Sequence, residues 1–172
     1  MTARELAKSR NFLQVADVDL IQKGIGMIEH PVMIADLGAG SGTTVAAAFE
    51  SAPEAVIWTV DVDPANLDWA QAIVRSMGTH LRWNPLMMDS VAAAAEFDPN
   101  RWDFVMIDTS HEYEHTKAEL AAWLPRLNPG GLIWLHDYIG YDGVKQAVDE
   151  LLENGTLAQL DQSGLGILVR PL

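Results

Sequence analysis

Cysteine is absent from the 172 residues of this chain. Its absence excludes disulfides, thiolate zinc sites and a cysteine nucleophile, and it is compatible with a cytoplasmic protein. Basic residues are few, with 11 Lys and Arg against 24 Asp and Glu, for a formal net charge of −13. They form no basic patch, and a negative surface repels phosphate backbones, so we expect no nucleic-acid partner. Long apolar runs are also missing, so we expect neither a membrane span nor a secretory leader.

The chain is nevertheless rich in apolar residues, which make up 49% of it. That share is typical of a globular protein rather than a disordered one. The length favours one domain with its own core, and we assign residues 1–172 to it. Apolar side chains at helical spacing predict a helical extension over residues 1–30, ahead of an α/β core over residues 31–172.

Within the core, short apolar runs alternate with helical segments. The predicted strands cover residues 31–36, 56–60, 81–84, 102–107, 132–135, 157–160 and 166–169, with 81–84 at an edge. The predicted helices cover residues 43–51, 64–74, 90–96, 112–127 and 143–153, and Pro129–Gly131 is a predicted turn. Such alternation is typical of a doubly wound, mainly parallel sheet, here seven-stranded and closed by a C-terminal antiparallel hairpin.

Polar residues follow the predicted strands. In doubly wound sheets, ligands bind beyond the carboxyl ends of the strands, near the point where the strand order reverses. The residues at or just after those ends are acids and histidines, namely Asp36, Asp61, Asp89, Asp108, His136 and Asp137. This edge of the sheet is therefore the predicted site.

The segment Asp36–Gly42 places glycines at alternate positions between the first strand and the next helix. Glycine suits a backbone that takes positive φ or approaches a ligand closely, and the helix start adds free N–H groups. A dinucleotide fingerprint requires a glycine one residue later, where Thr43 stands, and no Gly-Lys-Ser/Thr follows for a P-loop. The segment is thus a cofactor turn of another kind, or else an ordinary tight strand–helix turn.

Asp36–Gly42 resembles the first motif of class I S-adenosylmethionine-dependent methyltransferases, and the order of elements resembles their Rossmann-like fold. The resemblance implies that Gly38 and Gly40 pass beneath the methionine part of the cofactor and that Asp36 holds its amino group. It also implies that Asp61 accepts both ribose hydroxyls. The remaining cofactor-binding residues that it implies are Ala39, Gly42, Val62, Met88, Asp89 and Asp108. Of these, Met88 and Asp89 would flank the adenine, although Asp89 also suits a helix N-cap.

A second resemblance is carried by the segment Asp108–Glu114 and by the pair after the fifth strand. It is to metal-dependent small-molecule O-methyltransferases related to the enzymes that modify cephalosporins and macrolide sugars. The matching residues are Asp108, His111, Tyr113 and Glu114 in the first segment and Asp137 in the second. His136 stands where the related enzymes often have glutamate.

The second resemblance implies a divalent ion, Mg²⁺ or Mn²⁺, held by Asp108 and Asp137 with His136 as a third ligand. A nitrogen ligand favours manganese, iron or zinc over magnesium. His111 is the predicted catalytic base, with Asp108 beside it; alternatively, His111 only hydrogen-bonds Asp108, and His136 only caps its strand. His115 lies four residues after His111 and shares its face on a helix, but we expect it to face solvent.

We therefore expect methylation of a hydroxyl on a small-molecule acceptor. The alternative is a cofactor-binding subunit or sensor without catalysis. A nicotinamide-dependent dehydrogenase is disfavoured by Thr43 and by the lack of a Tyr-x-x-x-Lys pattern. Because only about 30 residues precede the first strand, either a second subunit completes the site, as in a homo-oligomer, or a large acceptor enters an open cleft.

Overall fold

A computed structural model of the protein describes residues 1–10, 13–31 and 33–172. Residues 11 and 12 of the predicted extension and Val32 of the predicted first strand lie outside the described residues. The helices are α1 (Ala3–Arg10), α2 (Val15–Gly26), α3 (Thr43–Ser51), α4 (Pro64–Ser76), α5 (Ser90–Ala93), α6 (Tyr113–Trp123) and α7 (Asp142–Glu153). The strands are β1 (Met33–Leu37), β2 (Val56–Asp61), β3 (Trp83–Met87), β4 (Trp102–Ile107), β5 (Leu127–Leu135), β6 (Leu157–Ser163) and β7 (Gly166–Pro171).

The seven strands form one sheet in the order β3-β2-β1-β4-β5-β7-β6. Strands β1 to β5 pair in parallel, whereas β7 runs antiparallel between β5 and β6. This topology confirms the predicted fold class, including the closing hairpin. The order reverses between β1 and β4, so the carboxyl ends of these two strands mark the expected binding edge.

Apolar side chains fill both sides of the sheet because parallel strands are buried on both faces. On one side, helices α1 to α4 pack residues such as Leu6, Ile21, Phe49 and Val74 into one core. On the other side, α5 to α7 contribute Ala93, Trp123 and Val148 to a second core. None of the helices in the described part of the chain is long and apolar enough to cross a membrane.

Two local predictions were wrong. The third strand covers Trp83–Met87 rather than residues 81–84, and a short 3₁₀ turn occupies His80–Arg82. The strand β3 includes Pro85. An edge strand tolerates proline because one side of the strand has no hydrogen-bonding neighbour. Pro129–Gly131 lies inside β5 and not in a turn. The extra residues bulge between the register pairs Trp102–Leu127 and Phe104–Leu132, with Gly130 at φ 85°.

Candidate active site

A cavity of about 390 Å³ opens at the carboxyl ends of β1, β2, β3 and β4, within the size range of small-molecule sites. Its walls include Gly38, Gly40, Asp61, Val62, Asn66, Met88, Asp89, Ser90, Asp108, Thr109, Ser110 and His115. A smaller cavity of about 190 Å³ continues on the other side of the glycine turn, between Leu13, Ala39, Thr44 and His111. The structure therefore brings most of the predicted cofactor residues to one continuous edge.

The three glycines of the turn differ in what a side chain would contact at each position. All three take positive φ, at 92° for Gly38, 44° for Gly40 and 79° for Gly42. A Cβ at Gly38 would overlap the backbone oxygen of Asp108, so this glycine allows the ends of β1 and β4 to approach. A Cβ at Gly40 would meet no atom within 4 Å, because this residue faces open space.

Gly42 is predicted to bind the cofactor, and this stays a prediction, while the structure gives its glycine another reason. A Cβ there would lie 3.1 Å from the Cα of Ala70, so Gly42 allows α3 and α4 to pack closely. Gly42 lines neither of the two cavities. Close helix packing and the left-handed conformation at the N-cap of α3 explain why position 42 is a glycine.

Asp36 is fully buried beneath the turn and lines neither cavity. Thr59 donates its hydroxyl hydrogen bond to Asp36 Oδ2 over 3.0 Å. Burial raises the pKa of Asp36 to about 7, against a smaller lowering effect from the hydroxyls of Thr44 and Thr59. Contact between Asp36 and the amino group of a cofactor stays a prediction. The buried position of the Asp36 carboxylate does not support it, because Asp36 lines neither cavity.

Three hydrogen bonds hold the carboxylate of Asp61 at the cavity wall. Its Oδ2 accepts hydrogen bonds from the backbone N–H of Ala39 at 2.8 Å and from the Asn66 amide at 3.2 Å. Its Oδ1 accepts from the backbone N–H of Asp63 at 2.8 Å. The first of these contacts ties the end of β2 to the glycine turn, so the carboxylate and the turn keep one relative orientation.

The end of β3 supplies the next part of the wall. Asp89 accepts a hydrogen bond on Oδ1 from the backbone N–H of Ala92 at 3.0 Å and so caps α5. It also lines the cavity next to Met88. Asp89 therefore caps α5 and lines the cavity at the same time. Val62 lines the same cavity and is 68% exposed.

Asp108, His136 and Asp137 form a compact polar cluster at the ends of β4 and β5. His136 Nδ1 lies 3.2 Å from Asp108 Oδ1 and 3.1 Å from Asp137 Oδ2. Asp137 takes a left-handed backbone conformation with φ 59°, and non-glycine residues held in this way are concentrated at functional sites. Burial alone would lower the pKa of His136, but contacts with Asp108, Asp137 and Asp17 raise it to about 12.

His111 pairs with Asp137 and not with Asp108, contrary to the alternative interpretation. Its Nε2 lies 2.7 Å from Asp137 Oδ2, and its ring stacks on Tyr141 with the ring centres 3.8 Å apart. The side chain is 41% exposed and reaches the smaller cavity. His111 precedes α6, which begins at Tyr113, so the predicted helical face shared with His115 does not exist.

Sequence reasoning missed Asp17 on α2. This carboxylate is fully buried. Its Oδ1 accepts from the backbone N–H groups of Leu165 at 2.8 Å and Gly166 at 3.0 Å, and Oδ2 accepts from Gln14 at 2.8 Å. Oδ2 also lies 3.4 Å from His136 Nε2. The available signal was an acid placed among the apolar residues of a predicted helix.

His115 does not face solvent as predicted. Its side chain is only 29% exposed and lines the larger cavity. Its Nε2 lies 3.2 Å from Ser90 Oγ and 3.4 Å from Glu119 Oε1. Glu119 is fully buried, and the hydroxyls of Thr109 and Ser90 both donate to its Oε1. A glutamate four residues after a histidine on a predicted helix is a signal that could have revealed this pair.

The cluster after β4 and β5 offers three ligand atoms to a divalent ion, and His136 would have to release the proton that its raised pKa retains in order to bind one. One ligand atom each from Asp108, His136 and Asp137 lies within 4.8 Å of the other two. The separations of 3.1 and 3.2 Å are close to the roughly 3.0 Å expected between adjacent ligands with bonds of about 2.1 Å. His136 Nε2 lies 3.4 Å from Asp17 Oδ2 without a hydrogen bond in the described part of the chain, whereas metal-bound histidines usually donate this hydrogen to a carboxylate or carbonyl. The nitrogen donor favours manganese, iron or zinc over magnesium.

A family described as a methyltransferase domain matches residues 36–138. The matched part runs from the glycine turn to the pair after β5. It contains the Asp108–His136–Asp137 cluster and the His115–Glu119 pair. The chain belongs to this methyltransferase family. Membership confirms the resemblance to class I methyltransferases, which the observed topology also matches.

Solved structures share the fold, and two of the three that follow are of methyltransferases. A protein from Corynebacterium glutamicum superimposes with a TM-score of 0.78 at 18% identity, covering 98% of this chain and 87% of that one. The SAH-bound methyltransferase PaMTH1 of Podospora anserina gives 0.76 at 14% identity, covering 99% and 86%. An O-methyltransferase from Bacillus cereus in complex with SAH gives 0.65 at 15%, covering 88% and 78%. A search of curated protein sequences found no match.

Proposed function

We propose that this methyltransferase uses S-adenosylmethionine to methylate a hydroxyl group of a small-molecule acceptor. The observation that carries the proposal is the arrangement around Asp108. The open glycine turn lies on one side of it, and the His111–Asp137 pair lies on the other. A methyl donor above the turn would then face a base in the neighbouring cavity. The two fold neighbours that hold SAH support the choice of cofactor.

The larger cavity would hold the adenosyl part of the cofactor. Asp61 would accept the ribose hydroxyls, because a carboxylate offers two oxygens to two adjacent donors. Of the three groups that donate to Asp61, two are backbone N–H groups, at 2.8 Å each, and the Asn66 amide is the most distant, at 3.2 Å. The Asn66 contact is the one that a ribose hydroxyl would replace. The methionine part would then lie over Gly40.

Methyl transfer requires an acceptor oxygen in line with the methyl group and removal of its proton. When His111 donates its Nε2 hydrogen to Asp137, its Nδ1 keeps a lone pair that can accept the proton of the acceptor hydroxyl. Stacking on Tyr141 fixes the plane of the ring. His111 is thus the proposed general base, and Asp137 orients it.

Asp108, Asp137 and His136 would hold the divalent ion. When bound, the ion lowers the pKa of an acceptor hydroxyl that it contacts. Buried Asp17 would keep His136 turned so that Nδ1 faces the two carboxylates. Because Asp137 also contacts His111, the proposed base and the proposed ligand set share one carboxylate.

Calorimetric titration with S-adenosylmethionine, with NAD as the negative control, tests the cofactor. Turnover is then measured on a panel of hydroxylated acceptors with Mn²⁺, Mg²⁺ or a chelator. We expect His111→Asn to lower kcat by about 100-fold or more while the Kd for S-adenosylmethionine changes less than about threefold. His80→Asn, at the opposite end of β3, is the matched control.

The possible outcomes separate the interpretations. Unchanged kcat in His111→Asn contradicts the base. Binding of S-adenosylmethionine without turnover on any acceptor favours the subunit or sensor, and for that interpretation the oligomeric state should also be measured. Binding of NAD alone contradicts the proposed function.

A further inference from the structure

A buried polar network lies behind one wall of the larger cavity. Glu119 is at its centre, with the hydroxyls of Ser90 and Thr109 donating to Oε1. His115 Nε2 lies within 3.4 Å of the same oxygen. Glu119 Oε2 has no hydrogen-bond partner within the described part of the chain, although it is buried. A buried carboxylate with an unpaired oxygen destabilises the fold and calls for an explanation.

The network fixes His115 in one orientation. Its Nε2 is engaged by Ser90 at 3.2 Å and by Glu119. An acceptor at Glu119 favours the tautomer with its hydrogen on Nε2, which leaves Nδ1 as an acceptor. Among the described contacts none involves Nδ1, and the ring lines the cavity.

His115 lies at the end of the cavity formed by the β3 terminus. Met88, Asp89 and Ser90 follow that strand and line the same wall. Asp61, the proposed ribose contact, lies one strand nearer the glycine turn. A purine attached to that ribose would therefore extend toward His115. One oxygen of Asp89 is already used to cap α5, so His115 supplies a second acceptor at this end.

We propose that His115, held in place by Glu119, recognises the exocyclic amino group of the cofactor's adenine. This rests on the proposed function, because it requires an adenosyl cofactor in the cavity. The acceptor at Nδ1 pairs with the N–H of a 6-amino purine and faces the lone pairs of a 6-oxo purine. His115 is thus a specificity-determining residue, and Glu119 is a positioning residue that acts through it.

The test compares two ligands on each variant by calorimetry. One is S-adenosylhomocysteine, and the other is S-inosylhomocysteine, in which a carbonyl oxygen replaces the amino group. We expect the wild-type protein to bind the adenosyl ligand at least roughly tenfold more tightly, as the loss of one buried hydrogen bond implies. His115→Leu should reduce this ratio to below about threefold. Because the ratio compares two ligands on one variant, general loss of fold or cavity shape affects both and cancels.

His115→Asn tests the atom involved. The side-chain oxygen of asparagine can occupy the place of histidine Nδ1 but cannot reach Glu119, so we expect a ratio between those of the wild type and His115→Leu. His80→Leu removes an exposed histidine from the far end of β3 and should keep the wild-type ratio. A wild-type ratio in His115→Leu overturns the assignment. A wild-type protein that binds neither ligand overturns the proposed function itself.

Discussion

Replacing Asp36 with asparagine is expected to make the free energy of unfolding less dependent on pH. Burial raises the pKa of Asp36 from its ordinary value of 3.8 to about 7 in the folded protein. Between these values, the folded state keeps a proton that the unfolded chain has lost. Stability therefore falls as the pH rises through this range, and the contribution is lost above pH 7.

The magnitude follows from the difference between the two pKa values of Asp36. A difference from 3.8 to about 7, at about 1.4 kcal/mol per unit, gives about 4 kcal/mol in all. About half of this, roughly 2 kcal/mol, is lost between pH 5.5 and pH 8. Asparagine carries no charge at any of these pH values and keeps an oxygen to accept the Thr59 hydroxyl, so it removes the pH-dependent term.

Urea unfolding of the two proteins at several pH values between 5.5 and 8 measures the effect. The free energy of unfolding of Asp36→Asn minus that of the wild type should rise by about 2 kcal/mol across this range. Asp98→Asn, at an exposed position, makes the same change in net charge and serves as the control. Parallel pH profiles for Asp36→Asn and the wild type would refute the raised pKa.

Other predictions concern the turn and the buried acid of α2. Gly38→Ala should lower the melting temperature strongly, because its Cβ overlaps the Asp108 backbone oxygen. Gly40→Ala should cost only about 1 kcal/mol and mainly weaken S-adenosylmethionine binding; equal thermal destabilisation of the two variants would contradict this assignment. Asp17→Asn should destabilise the protein by about 2 kcal/mol, because an amide nitrogen then faces a backbone N–H. A change below about 0.5 kcal/mol in urea unfolding would count against it.

Local patterns predicted much of the fold. The helix Thr43–Ser51 and the strand Trp102–Ile107 have the predicted bounds, because glycine turns and continuous apolar runs act over a few residues. The acids after the strands were predicted to meet at one edge, and they do. The Pro129–Gly131 segment shows where local chemistry is insufficient. Its residues favour a turn, but pairing with β4 on both sides of them continues the strand through a bulge.

The parts of the site that were missed depend on contacts that no short pattern contains. Asp17 accepts hydrogen bonds from residues 148 and 149 positions further along the chain. Glu119 gains its hydrogen-bond partners only because the ends of β3 and β4 bring Ser90 and Thr109 to the same face of α6. The sequence correctly places His115 on a helix. It does not reveal that the side chain points to the cavity wall rather than to solvent.

The hydrogen bonds of Asp17 also bear on when the site can form. The groups that donate to its Oδ1 belong to Leu165 and Gly166, which follow Asp17 by 148 and 149 residues. During synthesis, α2 and the glycine turn leave the ribosome long before these groups exist. Asp17 and His136 can therefore take their final arrangement only after the β6–β7 hairpin has emerged and β7 has paired with β5. A nascent chain lacking that hairpin would hold the proposed cofactor turn without the final arrangement of His136 and Asp17.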